Sequence, residues 1–597
     1  MTSLLRSRGR RILAVLLAGL LGAAASIAGA APSYAATVNL TVNLASVRGP
    51  STGVGQGLLY GVTQDATQPG NRFIQPLRLN SYRGGGHASG GWIRDNYVYG
   101  AGTKADVAEA IAQATRLKAL SPSPSTFQYQ FILSDVFGAD GGQPSNTRWP
   151  CANGDCTNWI SFIDSVVTPL QNSGLTFVYD IWNEPDISAF WPNASVNSTQ
   201  YFQMWDAAVK EIRRIAPSAK ITGPSFAYSP LARASQWNTW LSHVKAAGTV
   251  PDWISNHAES GGDDPVALAN AINSALSNNG IPAKPLSANE YQQQGQGYAG
   301  TTAWFLARFA QSGYTNAQRG NWDCCQLPNI TGMLTNDGLS TNGSWWAMRA
   351  YADLTGSLVT TTGLSGTTAI AASIDSTAKR AVAIIGDTST LTGTVNVTFT
   401  GLSSVSSWLA SGGKVNVVVD RIPDGTIGAP RVVSNANVSV SGGSITVAVP
   451  FTAARDAYAV YLTPAGRSGA LTGTGSGRCV DVPSANQTNG TQLNIWDCNG
   501  QTNQLWHATA SGELRTFNDA FCLDANNNGT ANGTQLIIWS CSGAANQKWT
   551  VGADGTVKGV QSGRCVTVNG GATANGSQLV LSDCTGASNQ KWSLPNN

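Results

Sequence analysis

Glu184 stands in the segment Tyr179-Asp180-Ile181-Trp182-Asn183-Glu184-Pro185, and Glu290 follows 106 residues later at the end of the run Pro285 to Asn289. The apolar stretch Leu175 to Val178 has the length a buried strand needs, and Pro285 to Asn289 is a second, shorter strand-like run. Pro185 forces the chain to turn, which puts Asn183 and Glu184 at the C-terminal lip of a strand. Two carboxylates on separate strand ends are the minimum equipment for cutting a glycosidic bond. Asp186 and Glu259 are also close to strand ends; their positions suit shaping loops better than reacting.

The elements that must hold these groups alternate. From residue 55 to 354, strand-like runs interleave with helical stretches, which implies a parallel sheet. The expected strands are Leu58 to Val62, Pro76 to Leu79, Phe127 to Leu133, Leu175 to Ile181, Ala219 to Gly223, Trp253 to His257, Pro285 to Glu290 and a weaker eighth over Arg319 to Trp322. Helical stretches such as Lys104 to Leu117, Thr199 to Ile215 and Ala303 to Gln311 lie between them. Eight such units suit a (β/α)8 TIM barrel, in which reacting groups sit at the C-terminal ends of the strands. Residues 355–466 change character: they are rich in Val, Thr and Ser and alternate over Ala381 to Ile385, Thr394 to Phe399, Lys414 to Val419, Ser444 to Val449 and Ala457 to Leu462, the pattern of a β-sandwich.

The ends and the composition set the context. Arg6, Arg8, Arg10 and Arg11 precede an apolar run from Ile12 to Ala30, and Ser33-Tyr34-Ala35 has the form of a cleavage site, so residues 1–35 are expected to be a signal peptide and the protein to be secreted. Without that segment, 32 basic groups face 33 acidic ones, a balance that points neither to nucleic acid nor to a membrane surface. Nineteen tryptophans and a low charged fraction of 12% suit carbohydrate, because indole faces stack on sugar rings and amides bond hydroxyls. No cofactor is called for, and the few, badly spaced histidines argue against a zinc site. The length suggests about three domains, and ten cysteines in a secreted chain suggest disulfides.

The C-terminal region repeats. Cys479, Cys522 and Cys565 recur every 43 residues, and each is followed 19 residues later by a partner, Cys498, Cys541 and Cys584. Each unit closes alike, with Asn503-Gln504-Leu505-Trp506, Asn546-Gln547-Lys548-Trp549 and Asn589-Gln590-Lys591-Trp592. Three copies of one stapled unit share a core, which the closing tryptophans are expected to fill. Residues 467–597 resemble the ricin-type β-trefoil lectin, known as carbohydrate-binding module family 13 when attached to an enzyme. The resemblance implies that an Asp two residues after the first Cys accepts sugar hydroxyls, and that an aromatic two residues before the second stacks on the ring. The first copy carries Asp481 and Trp496, with Asn503 and Gln504 behind. The second carries Asp524 and Trp539, with Asn546 and Gln547. The third has Thr567 and Ser582 instead, so two working sugar sites and one degenerate one are expected, for galactose-, arabinose- or xylose-type sugars.

The barrel segment resembles clan A of the glycoside hydrolases and, within it, family 39. The residues that carry the likeness are Ile181-Trp182-Asn183-Glu184-Pro185-Asp186, Asp252-Trp253-Ile254-Ser255-Asn256-His257, and Asp337-Gly338-Leu339 followed by Trp346-Ala347-Met348-Arg349-Ala350-Tyr351. The resemblance implies retention of anomeric configuration, with Glu290 as nucleophile and Glu184 as acid/base. Asn183 would bond the 2-hydroxyl, His257 would orient Glu290 or bond the sugar, and Arg78 would hold Glu290 ionised; Trp182 and Tyr291 complete the expected substrate contacts. The resemblance also implies that the sandwich packs on the barrel and takes a strand from residues 36–54. The family favours a pentose-releasing enzyme of β-xylosidase or α-L-arabinofuranosidase type, acting on plant polysaccharide such as arabinogalactan. The alternatives are an endo-acting xylanase or galactanase of the same clan, and a catalytically dead lectin. Cys151 and Cys156 are expected to pair with each other, as are the adjacent Cys324 and Cys325; cross-pairing between the two sets is the rival arrangement.

Overall fold

The computed structural model describes residues 36–85, 101–134, 149–259, 263–292, 295–320 and 327–595. The expected signal peptide over 1–35 and the pair Cys324 and Cys325 lie outside the described residues. The chain starts with a long strand, β1 (Ala36–Pro50), which joins a distant sheet. Among the described residues, eight parallel strands then close a barrel: β2 (Gly57–Leu59), β3 (Ser81–Gly84), β4 (Gln128–Ile132), β5 (Phe177–Asp180), β6 (Lys220–Phe226), β7 (Trp253–Ala258), β8 (Leu286–Tyr291) and β9 (Tyr314–Arg319). Helices including Ala101–Leu120, Thr157–Asn172, Thr199–Ile215, Pro230–Ala247, Pro265–Asn278 and Ala299–Phe309 lie between them. Their starts carry caps that satisfy otherwise unpaired amides: Ser198 accepts from Tyr201 N at 3.2 Å and Asp264 from Val266 N at 3.0 Å.

Two of the expected barrel strands differ from the observed ones. Pro76 to Leu79 is a helical turn rather than a strand: Asn71–Ile74 continues into a 3-10 turn at Gln75–Leu77, and the second barrel strand is β3. Pro76 has no amide to give a ladder, and Arg78 ends the turn in the left-handed region at φ 53°. The eighth strand lies earlier than Arg319 to Trp322, over Tyr314–Arg319. Its inward positions are amides, Asn316 and Gln318, so it offers no apolar run to read.

Past the barrel, β1 is joined by β10 (Ser357–Thr362), β11 (Thr368–Asp375), β12 (Arg380–Asp387), β13 (Gly393–Thr400), β14 (Lys414–Ile422), β15 (Arg431–Ser439), β16 (Ile445–Phe451) and β17 (Ala457–Pro464) in one nine-stranded sheet. β1 runs parallel to β13 and antiparallel to β10. Strands from both halves of this sheet feed one apolar cluster, with Val397 and Val447 on one side and Val417 and Val460 on the other, so the sheet folds over into a sandwich. The sandwich backs onto the barrel through Ala299–Phe309, whose side chains are almost all buried. Gly386 permits that approach: a Cβ there would sit 2.1 Å from Trp304 N.

The C-terminal part repeats one geometry three times. Trp506, Trp549 and Trp592 are buried, and each indole donates at 3.0 Å to a backbone carbonyl, that of Val480, Leu523 and Val566 respectively. The disulfides Cys479–Cys498, Cys522–Cys541 and Cys565–Cys584 staple the copies. This β-trefoil is docked on its neighbours by polar contacts. Arg349 donates to Gln487 at 2.7 Å, and Asn518 donates to Asp420 of β14 at 2.6 Å.

Candidate active site

The strand ends bring four ionisable side chains together inside the lip of the barrel. One ligand-type atom from each of Glu184, His257, Glu259 and Glu290 lies within 4.8 Å of the others. Glu184 leaves the end of β5 through two residues in the left-handed region, Trp182 at φ 74° and Glu184 itself at φ 42°. Such φ values are costly for side-chain-bearing residues and persist where surrounding structure enforces them, often at functional sites. Here the Glu184 amide donates to Ser225 O at 3.1 Å. Glu290 stands on β8 opposite His257 on β7. His257 Nδ1 is 2.8 Å from Glu184 Oε1, and its Nε2 is 3.8 Å from Glu290 Oε1. The imidazole therefore bridges the two carboxyls, with its hydrogen bond to Glu184.

Arg83, on β3, is the cation of the site. Its guanidinium is fully buried and pairs with Asp180 at 2.7 Å and Glu290 at 2.5 Å. It also donates to Asn183 Oδ1 at 2.9 Å, which commits that oxygen and leaves the Asn183 amino group to donate elsewhere. Asp180 in turn accepts from Ser225 Oγ at 2.5 Å and Asn289 Nδ2 at 2.9 Å. Burial disfavours the charge on Arg83, but the carboxylates of Asp180 and Glu290 hold it protonated. Burial, then the charge of Asp186, pushes the Glu184 carboxyl up to about 8, with Arg83 opposing. Burial pulls His257 below its ordinary value and favours the neutral ring. Burial, then the charges of Glu290 and Glu184, pushes Glu259 well above the usual carboxylate range.

Three expected substrate contacts lie elsewhere. Arg78 does not hold Glu290: it caps a turn before β3, at the other end of that strand, and its charged neighbours are Arg349, Asp353, Arg380 and Asp375. The second barrel strand starts five residues later than expected, which puts Arg83 rather than Arg78 at the lip. Trp182 is buried behind the lip; its Nε1 donates to Phe190 O at 2.8 Å and its ring packs on Trp149, Trp159 and Trp191. Tyr291 follows Glu290 and so points to the opposite face of β8, where it packs on Phe305 and Phe309 and donates to Gly55 O at 2.8 Å. Asp186 does shape a loop, accepting from the amides of Ala227 and Tyr228 at 2.8 and 3.1 Å. Glu259, by contrast, lies among Glu184, His257 and Glu290 at the lip. Arg83, Asp180 and Asn289 were not singled out by the sequence, and the one signal for Arg83 is its place in a short Ser-Tyr-Arg-Gly run before consecutive glycines. Glu184, His257, Glu259 and Glu290 could also hold a divalent cation, with Arg83 competing for Glu290.

In the β-trefoil, Asp481 accepts from Asn503 at 2.7 Å and Gln504 at 2.9 Å, and Asp524 accepts from Asn546 and Gln547 at 2.9 Å each. Trp496 and Trp539 are 44% and 43% exposed, unusual for large apolar side chains in this chain. In the third copy Gln590 reaches Thr567 at 3.1 Å, with no carboxylate there. Cys151 and Cys156 pair locally.

Residues 155–277, within the barrel, match the family model for Glycosyl hydrolases family 39, and residues 467–592 match that for the Ricin-type beta-trefoil lectin domain. The molecule therefore joins a glycosyl hydrolase family 39 domain to a ricin-type lectin domain. Over 110 residues it is 27% identical to a beta-xylosidase of Geobacillus stearothermophilus, a match covering 17% of this chain and 21% of that protein, about a fifth of its length. A solved structure from Neocallimastix frontalis is 25% identical with a TM-score of 0.60, over 72% of this chain and 100% of that one. A family 39 enzyme from Xanthomonas axonopodis pv. citri is similar in fold, at 13% identity and a TM-score of 0.50, over 74% of this chain and 100% of that one.

Proposed function

We propose that the protein is a secreted retaining glycosidase that releases pentose-type sugars, arabinose or xylose, or short side chains from plant polysaccharide such as arabinogalactan, while its lectin domain holds it on the glycan. The observation that carries the reading is the approach of Glu184 and Glu290, whose nearest ligand-type oxygens are within 4.8 Å. Retaining enzymes need carboxyl groups about 5–5.5 Å apart, whereas inverting enzymes need about 6.5–9.5 Å to admit a water.

The two glutamates have different partners, and two carboxyls given different tasks by their surroundings are how one site runs acid and base chemistry together. Glu184, raised to about 8 by burial and by Asp186, enters the reaction with its proton. Glu290 pairs with Arg83 and enters as the carboxylate. Glu290 attacks the anomeric carbon as the glycosidic bond breaks, and the Glu184 proton passes to the leaving oxygen. Glu184 then takes a proton from water, which displaces Glu290 and restores the sugar's configuration. Asn183, turned by Arg83, offers its amino group to the hydroxyl beside the reacting centre. The sugar class is supported by the β-xylosidase relative. Secretion is supported by the disulfides among the described residues, which suit an oxidising compartment. No helix of the described residues is long and apolar enough to cross a membrane.

A panel of aryl pentosides, aryl hexosides and gum-type polysaccharides, with the released sugars identified, tests this reading. Turnover of aryl pentosides that is abolished by both Glu184→Gln and Glu290→Gln is expected. Full turnover in either variant, or release of hexoses alone, would overturn it.

A further inference from the structure

Glu259 is the acidic side chain at the lip to which the retaining scheme gives no task. It lies just past the end of β7, two residues beyond His257, and its carboxyl joins Glu184, His257 and Glu290 within the same 4.8 Å. Glu290 acts on the Glu259 carboxyl through its charge and as a hydrogen-bond partner once one of the two carries a proton. Two ionised carboxylates accept only, so a hydrogen bond between them requires that one carry a proton. The accounting agrees: Glu259 Oε1 and Glu290 Oε2 are both buried and both lack a donor among the described residues. The charges around the pair decide which one holds the proton. Glu290 is paired with Arg83 at 2.5 Å, whereas no ion pair to Glu259 is found among the described residues. Space has been left for the third carboxyl. Gly320, just after β9, packs so closely that a Cβ there would lie 2.9 Å from Glu259 Oε1.

We propose that Glu259 is a positioning residue that stays protonated in the resting enzyme and donates its hydrogen bond to the Glu290 carboxylate. This rests on the retaining reading and deepens it. The Glu259 proton is not consumed at any step. It fixes one oxygen of Glu290 opposite the oxygen held by Arg83, so that the nucleophile has one orientation. It also favours departure of Glu290 as a carboxylate when the glycosyl–enzyme bond breaks. Burial and the charges of Glu290 and Glu184 act in the direction this requires.

The test uses the full chain in two arms. In the first, difference infrared spectra of protein labelled with 13C-glutamate read the carbonyl stretch of protonated side chains at neutral pH. Glu184 and Glu259 should each contribute, so Glu259→Gln loses part of the band, Glu184→Gln another part, and the double variant both. In the second, an aryl pentoside is followed against pH. Glu259→Gln, which keeps a donor, should retain kcat within about threefold, whereas Glu259→Ala should lose roughly 10- to 100-fold. The alkaline limb of kcat/KM should fall with the loss of about two protons in the wild type and about one in Glu259→Gln. A carboxylic acid band unchanged in Glu259→Gln, together with an unchanged alkaline slope, would overturn the proposal. The infrared arm does not depend on turnover and needs no variant to titrate the wild type, so its outcome stands apart from that of the Glu184→Gln and Glu290→Gln rate tests, which judge the retaining reading itself.

Discussion

Glu184→Gln isolates the proton on which the proposed acid step depends. The Glu184 carboxyl moves from its ordinary 4.5 to about 8, first through burial and then through the charge of Asp186. At pH 7 a group titrating near 8 is about nine-tenths protonated, whereas one titrating at its ordinary value is protonated in less than about 1% of molecules, so the site gains roughly a few hundredfold in competent acid. The same displacement costs stability with a definite sign. The folded pKa lies above the unfolded one, so the contribution of Glu184 is fully present below about 4.5 and is lost as the pH rises through about 8. At about 1.4 kcal/mol per pH unit, the wild type loses about 3 kcal/mol relative to the uncharged glutamine between the lower value and pH 7, about 4 kcal/mol by pH 8, and about 5 kcal/mol at most above that. Urea unfolding followed through the fluorescence of the barrel cluster Trp149, Trp159, Trp182 and Trp191 reads this directly. Glu184→Gln should be more stable than the wild type by an increment that grows between about pH 5 and about pH 8. An increment that does not change with pH would refute the claim that Glu184 is protonated in the folded barrel.

Arg83→Met should leave Asp180 and Glu290 as unpaired buried charges, lower stability by about 3–5 kcal/mol and abolish measurable hydrolysis, and Arg83→Lys should not restore it because a single ammonium cannot match the fork that reaches Asp180, Glu290 and Asn183; thermal unfolding and aryl glycoside turnover check both. Trp496→Ala and Trp539→Ala should each weaken retention on insoluble polysaccharide, and the double variant should lose it while turnover of a small aryl glycoside is unchanged, as read by pull-down against rate. Replacing Cys151 and Cys156 by serine opens a loop with a sequence separation of 5 and should cost about 2 kcal/mol of unfolding free energy, measured by urea denaturation.

The legible parts of this chain were those written in patterns. The 43-residue recurrence of Cys479, Cys522 and Cys565 and the three closing tryptophans announced a shared core, and Trp506, Trp549 and Trp592 fill it. The apolar run before Glu184 and the proline after it marked a strand end. What escaped was written in polar residues. The barrel interior is filled with amides and hydroxyls, including a Gln130, Ser287 and Asn316 network with contacts of 2.6–3.2 Å, so β9 and β3 lack the apolar signature of buried strands. Because β3 lies a few residues past the expected strand, the arginine at the lip is Arg83 and not Arg78. Trp182 and Tyr291 differ for another reason: an aromatic close to a candidate glutamate looks like a sugar platform, yet strand alternation turns Tyr291 to the opposite face of β8, and Trp182, past the end of β5 at φ 74°, packs behind the lip on Trp149, Trp159 and Trp191. Glu259 could not be told from a loop carboxylate because its role depends on Glu290 and Gly320, residues far away in sequence that the barrel closure brings to it.

The account stands most directly on the identity of the nucleophile. Incubation with a 2-fluoro-substituted activated glycoside of the sugar released in the panel, which forms the glycosyl–enzyme and hydrolyses it slowly, followed by peptide mass spectrometry, should give one sugar adduct on the peptide carrying Glu290, on the Glu290 side chain. An adduct on Glu184 or Glu259, or a product of inverted configuration from the unmodified substrate, would contradict it.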